Sequence, residues 1–350
     1  MASKIRIGVL GASGYTGADL VRLAIAHPAM EVAVLTANTH AGKAMAEVFP
    51  HLGFVDLPKL ATVEETDWGS VDAVFCGLPH GTTQEITSKV LTDHPSLKFI
   101  DMSADFRLVD TAMYKAVYGH EHMAPELQRE AVYGLTEIYR DKIRKARLVA
   151  CPGCYPTASL LAILPLVRRG EIDATDIVID AKSGISGAGR GLKQNVLFAE
   201  AGEGLSPYSV GKHRHAPEME QEVTKVVGRS VFINFTPHLV PMSRGDLCTI
   251  YVRLAKAESA DELRQTLMER YRDEPFVKVA AEGVLPQTQN VRGSNYVQIG
   301  VFADRIPGRA ILVSVSDNLV KGSAGQAIQN FNLMFGLDET TGLMQQALFP

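Results

Sequence analysis

Apolar and polar positions divide the chain into two textures. Up to about residue 170, short and nearly continuous apolar runs alternate with segments of helical periodicity. Ile5, Ile7, Val9 and Leu10 form a first strand, and Leu20, Leu23 and Ala24 mark a helix ending near His27-Pro28. Further strands are predicted at 31–36, 72–77, 97–102 and 147–150, with helices at about 82–91 and 137–144. Such alternation predicts a doubly wound parallel sheet, with ligands bound at the C-terminal strand ends. Beyond 170, strand-like runs at 177–182, 231–235, 247–254, 296–302 and 310–315 stand at hairpin-compatible distances, with one helix at 260–271. They predict an α+β domain with a mostly antiparallel sheet. A final helix over 322–335 reads as amphipathic and is expected to pack back on the first domain. The expected division is 1–153, completed by about 318–350, and 154–317.

Composition narrows the class. Of 350 residues, 46% are hydrophobic and 21% charged, which suffices for two ordinary domains. A net charge of −4 offers no basic footprint, so nucleic acid is not an expected partner. Four irregularly spaced cysteines suit a reducing compartment rather than a disulfide framework. The apolar run near the start is too short for a signal peptide, and no run approaches membrane-spanning length. A cytoplasmic protein with no membrane partner is therefore expected.

The first strand runs into Gly11-Ala12-Ser13-Gly14-Tyr15-Thr16-Gly17 and then a helix. Strand, glycine-rich turn and helix, in that order, let the backbone approach a pyrophosphate at a helix N-terminus, as in a Rossmann-type dinucleotide site. The spacing is G-x-x-G-x-x-G rather than the commoner G-x-G-x-x-G, and such turns are often only structural. An NAD enzyme would be expected to place an acidic residue after the second strand. Thr36, Asn38 and Lys43 stand there instead and favour a 2′-phosphate, hence NADP.

The chemistry centres on Cys151-Pro-Gly-Cys154-Tyr-Pro156. Cys154 follows a Pro-Gly turn, with Pro156 expected at the first helical position and Leu160, Leu161 and Leu164 at helical spacing. A helix N-terminus favours the thiolate, which makes Cys154 the candidate nucleophile. Cys151 is read as a buried inert thiol, although a redox dithiol would also use this spacing. Cys76 and Cys248 are isolated, so no metal site is expected. A cysteine nucleophile needs a nearby proton carrier, and His213 and His215, before a helix expected at Pro217, are the candidates. His213 is placed ahead, a ranking that spacing alone does not decide. Glu218 reads as the acidic first turn of that helix. Arg107 and Arg244 are candidate holders of a substrate phosphate or carboxylate, or else ordinary salt-bridge partners.

The glycine turn, together with Ala150-Cys-Pro-Gly-Cys154-Tyr-Pro-Thr157, resembles the N-acetyl-gamma-glutamyl-phosphate reductases of arginine biosynthesis. Leu78-Pro79-His-Gly81, Ser103-Ala-Asp-Phe-Arg107, Lys182-Ser-Gly-Ile-Ser-Gly-Ala-Gly-Arg190, His213-Arg-His-Ala-Pro-Glu218 and Asp317-Asn-Leu-Val-Lys-Gly322 resemble that family's blocks, in order over nearly the whole chain. The resemblance implies NADP, a cysteine thioester, catalysis by Cys154 and His213 with Glu218 orienting the histidine, and a homo-oligomer, dimer or tetramer, built on 154–317. It further implies cofactor contacts at the glycine turn, Pro79, Ser186, Gly187, Asn318 and Gly322, and substrate contacts at Arg107, His215 and Arg244. Aspartate-semialdehyde dehydrogenases and reductases of carrier-bound aminoadipyl phosphate share this chemistry. A non-catalytic NADP-binding regulator would need neither Cys154 nor His213.

Overall fold

The apolar runs of the first texture assemble into one parallel sheet. In the computed structural model, which describes residues 4–350, the strands are β1 (Ile5–Leu10), β2 (Met30–Thr36), β3 (Leu60–Ala61), β4 (Ala73–Cys76), β5 (Lys98–Asp101), β6 (Val132–Tyr133) and β7 (Leu148–Ala150). Their order is β3-β2-β1-β4-β5-β7-β6, and every pairing is parallel. β4 is buried along its whole length and β1 from Ile7 onward, as strands covered on both faces must be. The strand order reverses between β1 and β4, which opens a crevice beyond their C-terminal ends.

Two units make up the chain. One runs up to Pro152 and adds Ser323–Met344; the other holds Gly153–Gly322 with Gln345–Pro350. The C-terminal helix, Gly325–Met334, belongs to the first unit, and all ten of its residues are buried. Its expected polar face is therefore not a solvent face. Gln326 Nε2 donates to the Gly134 carbonyl and to Thr136 Oγ1, each at 2.6 Å, and Asn330 Nδ2 donates to the Gly134 carbonyl at 2.9 Å. Thr136 Oγ1 in turn donates to Asn330 Oδ1 at 2.7 Å. Buried amides are tolerable because neighbouring backbone satisfies them.

The second unit is a mixed sheet of β8 (Ile172–Gly184), β9 (Ser206–Pro207), β10 (Asn234–Val240), β11 (Asp246–Leu254), β12 (Val277–Val279), β13 (Val297–Ala303) and β14 (Arg309–Ser316). The order is β12-β13-β14-β11-β8-β10-β9. Pairing is antiparallel except at β12/β13 and β8/β10. β13 and β14 form the expected hairpin. β10 and β11 do not, because the 13-residue β8 inserts between them and pairs with both. Against this sheet lies the Cys154–Arg169 helix, buried continuously from Tyr155 to Val167.

Asn330→Ala leaves the Gly134 carbonyl and the Thr136 hydroxyl short of a partner, and is expected to cost about 1–3 kcal/mol in urea unfolding. An unchanged unfolding midpoint would contradict this account of the helix.

Candidate active site

In the first unit the glycine turn is built by close approach. Gly11 has a φ of 77°, and a Cβ on Gly17 would lie 2.4 Å from the Gly11 carbonyl oxygen. The Tyr15–Ile25 helix therefore starts hard against the end of β1, with the side-chain-free Gly14 as its N-cap. That cradle fits the pyrophosphate of a dinucleotide. Gly77 N–H donates to the Leu10 carbonyl at 2.8 Å, which brings the Leu78-Pro79 turn beside it. The fully buried Asp105 carboxylate fixes the continuation, accepting from Gly81 N–H at 2.7 Å and Thr83 N–H at 3.0 Å.

Three residues expected to bind ligand here have structural work. Thr36 is fully buried, its hydroxyl facing the Val9 carbonyl at 3.5 Å and its own carbonyl accepting from Ala12 N–H. A 2′-phosphate cannot reach that hydroxyl, so Thr36 shapes the turn instead. Asn38 is exposed, and its Oδ1 accepts from Val63 N–H at 3.2 Å. The buried Arg107 donates through Nε to the Cys151 carbonyl at 2.8 Å and through a terminal nitrogen to the Met102 carbonyl at 3.2 Å. It braces the approach to the cysteine turn. Cys151 itself is buried, and burial pushes its thiol up to about 12, which leaves it inert at neutral pH.

The second unit gathers the remaining candidates. Cys154 is the first residue of its helix and Gly153 the N-cap, so Pro156 occupies the third position rather than the first. Proline fits there equally well, since the first-turn N–H groups have no partner within the helix. Cys154 is half-buried, while Cys76, Cys151 and Cys248 are buried. The turn is pinned from the side. Glu218, fully enclosed, accepts the Gly153 N–H at 2.9 Å. A Cβ on Gly322 would lie 2.6 Å from Cys154 Cβ, so the missing side chain there makes room for the cysteine. Gly322 thus acts on Cys154 rather than only on a cofactor.

The histidines separate by geometry. The helix expected at Pro217 begins at His215 and runs to Val227. His213 Nδ1 accepts the His215 N–H at 3.1 Å and so caps this helix. Its ring sits among Tyr155, Tyr208, Phe235 and His215, with centroids 4.6–6.0 Å away. Burial, helped by the Arg214 charge, lowers its pKa to about 4. His213 is neutral at pH 7, and its Nδ1 is taken up by the first N–H of that helix. His215 instead turns Nε2 toward the cysteine turn, 2.3 Å from where a Gly153 Cβ would stand.

Behind the cysteine, Asn318 joins the late block to the glycine loop. Its Oδ1 accepts from Gly245 N–H at 2.8 Å and its Nδ2 donates to Ser186 Oγ at 2.9 Å, with Gly187 alongside. Arg244 lies 3.5 Å from the buried Asp317 carboxylate. One group escaped the sequence reading. Asp246 is fully buried and faces the Cys154 thiol and the Ser183 hydroxyl. A carboxylate opening the strongly apolar run 247–254 was the signal. Among the described residues no cluster of three or more His, Cys, Asp or Glu is arranged to hold a metal ion, and no helix is long and apolar enough to cross a membrane.

Known proteins match this arrangement end to end. Residues 6–146 match the semialdehyde dehydrogenase NAD binding domain, and 154–318 the semialdehyde dehydrogenase dimerisation domain. A reductase named N-acetyl-gamma-glutamyl-phosphate reductase from Rhodospirillum rubrum is 57% identical over the whole of both chains. The chain belongs to the N-acetyl-gamma-glutamyl-phosphate reductase family. A probable chloroplastic member from Arabidopsis thaliana is 56% identical, covering 99% of this chain and 86% of its own. The fold is also that of aspartate semialdehyde dehydrogenase II from Vibrio cholerae, with a TM-score of 0.70 at 17% identity over 96% of this chain and 99% of that one. Candida albicans aspartate semialdehyde dehydrogenase with NADP gives 0.68 at 19%, over 95% and 99%. As a family member the chain is a nicotinamide-dependent oxidoreductase acting on a small molecule.

The His213 assignment has a thermodynamic consequence. Below pH 6.5 the unfolded chain binds a proton at this residue that the folded chain refuses until about pH 4, so stability is lost as pH falls through that window. His213→Asn, which keeps an acceptor but does not titrate, should narrow the stability gap between pH 7 and pH 5 by about 2 kcal/mol in urea unfolding.

Proposed function

We propose that the protein reduces N-acetyl-L-glutamyl 5-phosphate to N-acetyl-L-glutamate 5-semialdehyde and phosphate, through a thioester on Cys154. The observation that carries this reading is the half-buried Cys154 at the first position of its helix, on a chain matched end to end by a named reductase. The N-terminal end of the helix favours a negative sulfur. The Cys154 thiolate attacks the acyl carbon, the carbon–oxygen bond to phosphate breaks, and phosphate leaves with the electron pair. A covalent carrier divides one displacement into two easier steps. NADPH, when bound, supplies the hydride that reduces the thioester carbon. His215 Nε2 then protonates the resulting oxyanion and recovers that proton as the carbon–sulfur bond breaks, so the aldehyde departs and Cys154 returns to thiolate. This exchanges the roles expected for the two histidines: burial keeps the His213 ring neutral with Nδ1 bonded to the His215 N–H, whereas His215 Nε2 faces the cysteine turn.

Glu218 supports the same step by holding the Gly153 N–H, so the nucleophile's turn and the His215 helix move together. Arg107 and Arg244 remain the proposed holders of substrate anions, since a guanidinium grips phosphate or carboxylate bidentately. The glycine turn and Pro79 would hold the dinucleotide in the first unit; Ser186, Gly187 and Asn318 stay cofactor contacts only as the family resemblance implies. NADP is favoured because no carboxylate ends β2, where Asn38 and Lys43 are exposed. The free thiols support a reducing cytoplasmic location.

Phosphate-dependent NADP reduction with N-acetylglutamate semialdehyde should be robust, slower with NAD and slower still with aspartate semialdehyde. Cys154→Ser should abolish it, His215→Asn should lower kcat about 10²–10⁴-fold, and His213→Asn should cost far less. A larger loss in His213→Asn than in His215→Asn would return the proton-carrying role to His213.

We also propose a homodimer formed through the second unit. Residues 190–211 expose Leu192 (99%), Phe198 (90%), Leu205 and Val210, more apolar surface than an isolated segment usually shows. Light scattering after size exclusion should report twice the 38.0 kDa chain mass, reverting to the single mass for Phe198→Glu with Leu192→Glu.

A further inference from the structure

Asp246 takes no part in the steps above, yet it is the buried acid beside the nucleophile. It opens β11, directly opposite Ser183 on β8 and Ser316 on β14. The residue is fully buried, and neither carboxyl oxygen has a partner at full hydrogen-bond distance. Its polar neighbours are the Ser183 hydroxyl and the Cys154 thiol. Buried carboxyls without full hydrogen bonding are rare, because each such oxygen costs free energy. We propose that Asp246 is a positioning residue for the Cys154 sulfur, keeping its own proton while the sulfur is ionised and presenting that proton to Sγ. The inference rests on the reading of Cys154 as the nucleophile and adds what tunes it.

The surroundings bear on the charge of this pair from every side. Cys154 and Tyr155 face Asp246 from the helix, Ser183 from β8, Cys248 from β11 itself, Asp317 from beyond β14, and Tyr208 from beyond β9. No cation is among them; Arg244 pairs with Asp317 instead. Burial outweighs the two hydrogen-bonding neighbours and lifts the Asp246 carboxyl to about 7. Two negative charges side by side in such a site oppose each other, so carboxylate and thiolate are not both populated near neutral pH. A protonated Asp246 removes that repulsion and adds a donor. Above its own ionisation, the carboxylate works against the thiolate.

The test is the pH dependence of Cys154 alkylation by iodoacetamide, followed by peptide mass spectrometry on the full-length protein. Asp246→Asn keeps the shape and a donor but never charges, so its alkylation midpoint should fall at least about one pH unit below wild type, with several-fold faster labelling at pH 8. Ser183→Ala should shift the midpoint the same way by less, because the carboxylate loses the hydroxyl that favours it. It also serves if Asp246→Asn does not fold. Superimposable profiles for the folded variants and wild type overturn the proposal. Activity of Cys154→Ser tells the two failures apart. An active variant removes the nucleophile reading itself, whereas an inactive one with unmoved profiles removes only the role of Asp246.

Discussion

Everything chemical in the second unit depends on where one helix begins. The Cys154–Arg169 helix starts at the cysteine rather than after it, so the sulfur stands where first-turn N–H groups have no partner within the helix. Position alone would not hold it there. Glu218 fixes the N-cap from the neighbouring helix, and the bare Cα of Gly322 lets the chain after β14 close over the cysteine. Any side chain at 322 must push the cysteine off that place or withdraw the Asp317–Gly322 turn, whose N–H is already bonded to the Asp317 carbonyl at 2.9 Å.

The first unit solves a different problem with the same economy of side chains. A pyrophosphate needs backbone more than it needs residues, and Gly17 leaves backbone bare where a Cβ would collide with the Gly11 carbonyl. Side chains nearby then serve the loops. Asp105 holds the turn after β4 through Gly81 and Thr83, and Arg107 holds the exit from β7 through the Cys151 carbonyl. Arg107, which reads as an anion holder in sequence, also keeps the backbone of the cysteine turn in place.

The parallel sheet was legible because strands covered on both faces must be nearly continuous apolar runs, and these were. Strand pairing in the second sheet was not, since apolar alternation identifies a strand but not its neighbours; β8 reads as a short run and is a 13-residue strand pairing on both edges. The place of Cys154 between turn and helix was legible, because those signals are local. The histidines were not, because a two-residue spacing says nothing about which ring caps a helix and which faces the turn. The final helix misled for a related reason. Its glutamines and asparagines look like a solvent face until Gly134 and Thr136, distant in sequence, are placed against them.

Two fully buried carboxyls, Asp101 and Asp246, are both raised to about 7, and the contrast between them says what burial alone does not. Asp101 accepts the Ser103 N–H at 2.9 Å and the Ser103 hydroxyl at 2.8 Å, one bond to each oxygen, and so orders the loop that carries Asp105 and Arg107. Its environment is complete as an acceptor. Asp246 instead faces the Ser183 hydroxyl and the Cys154 thiol, and a thiol can either donate or accept. An acid in that setting is not locked into accepting; it can donate as soon as its neighbour becomes the base. That neighbour is Cys154, the cysteine among the described residues that is not buried, at the first position of its helix.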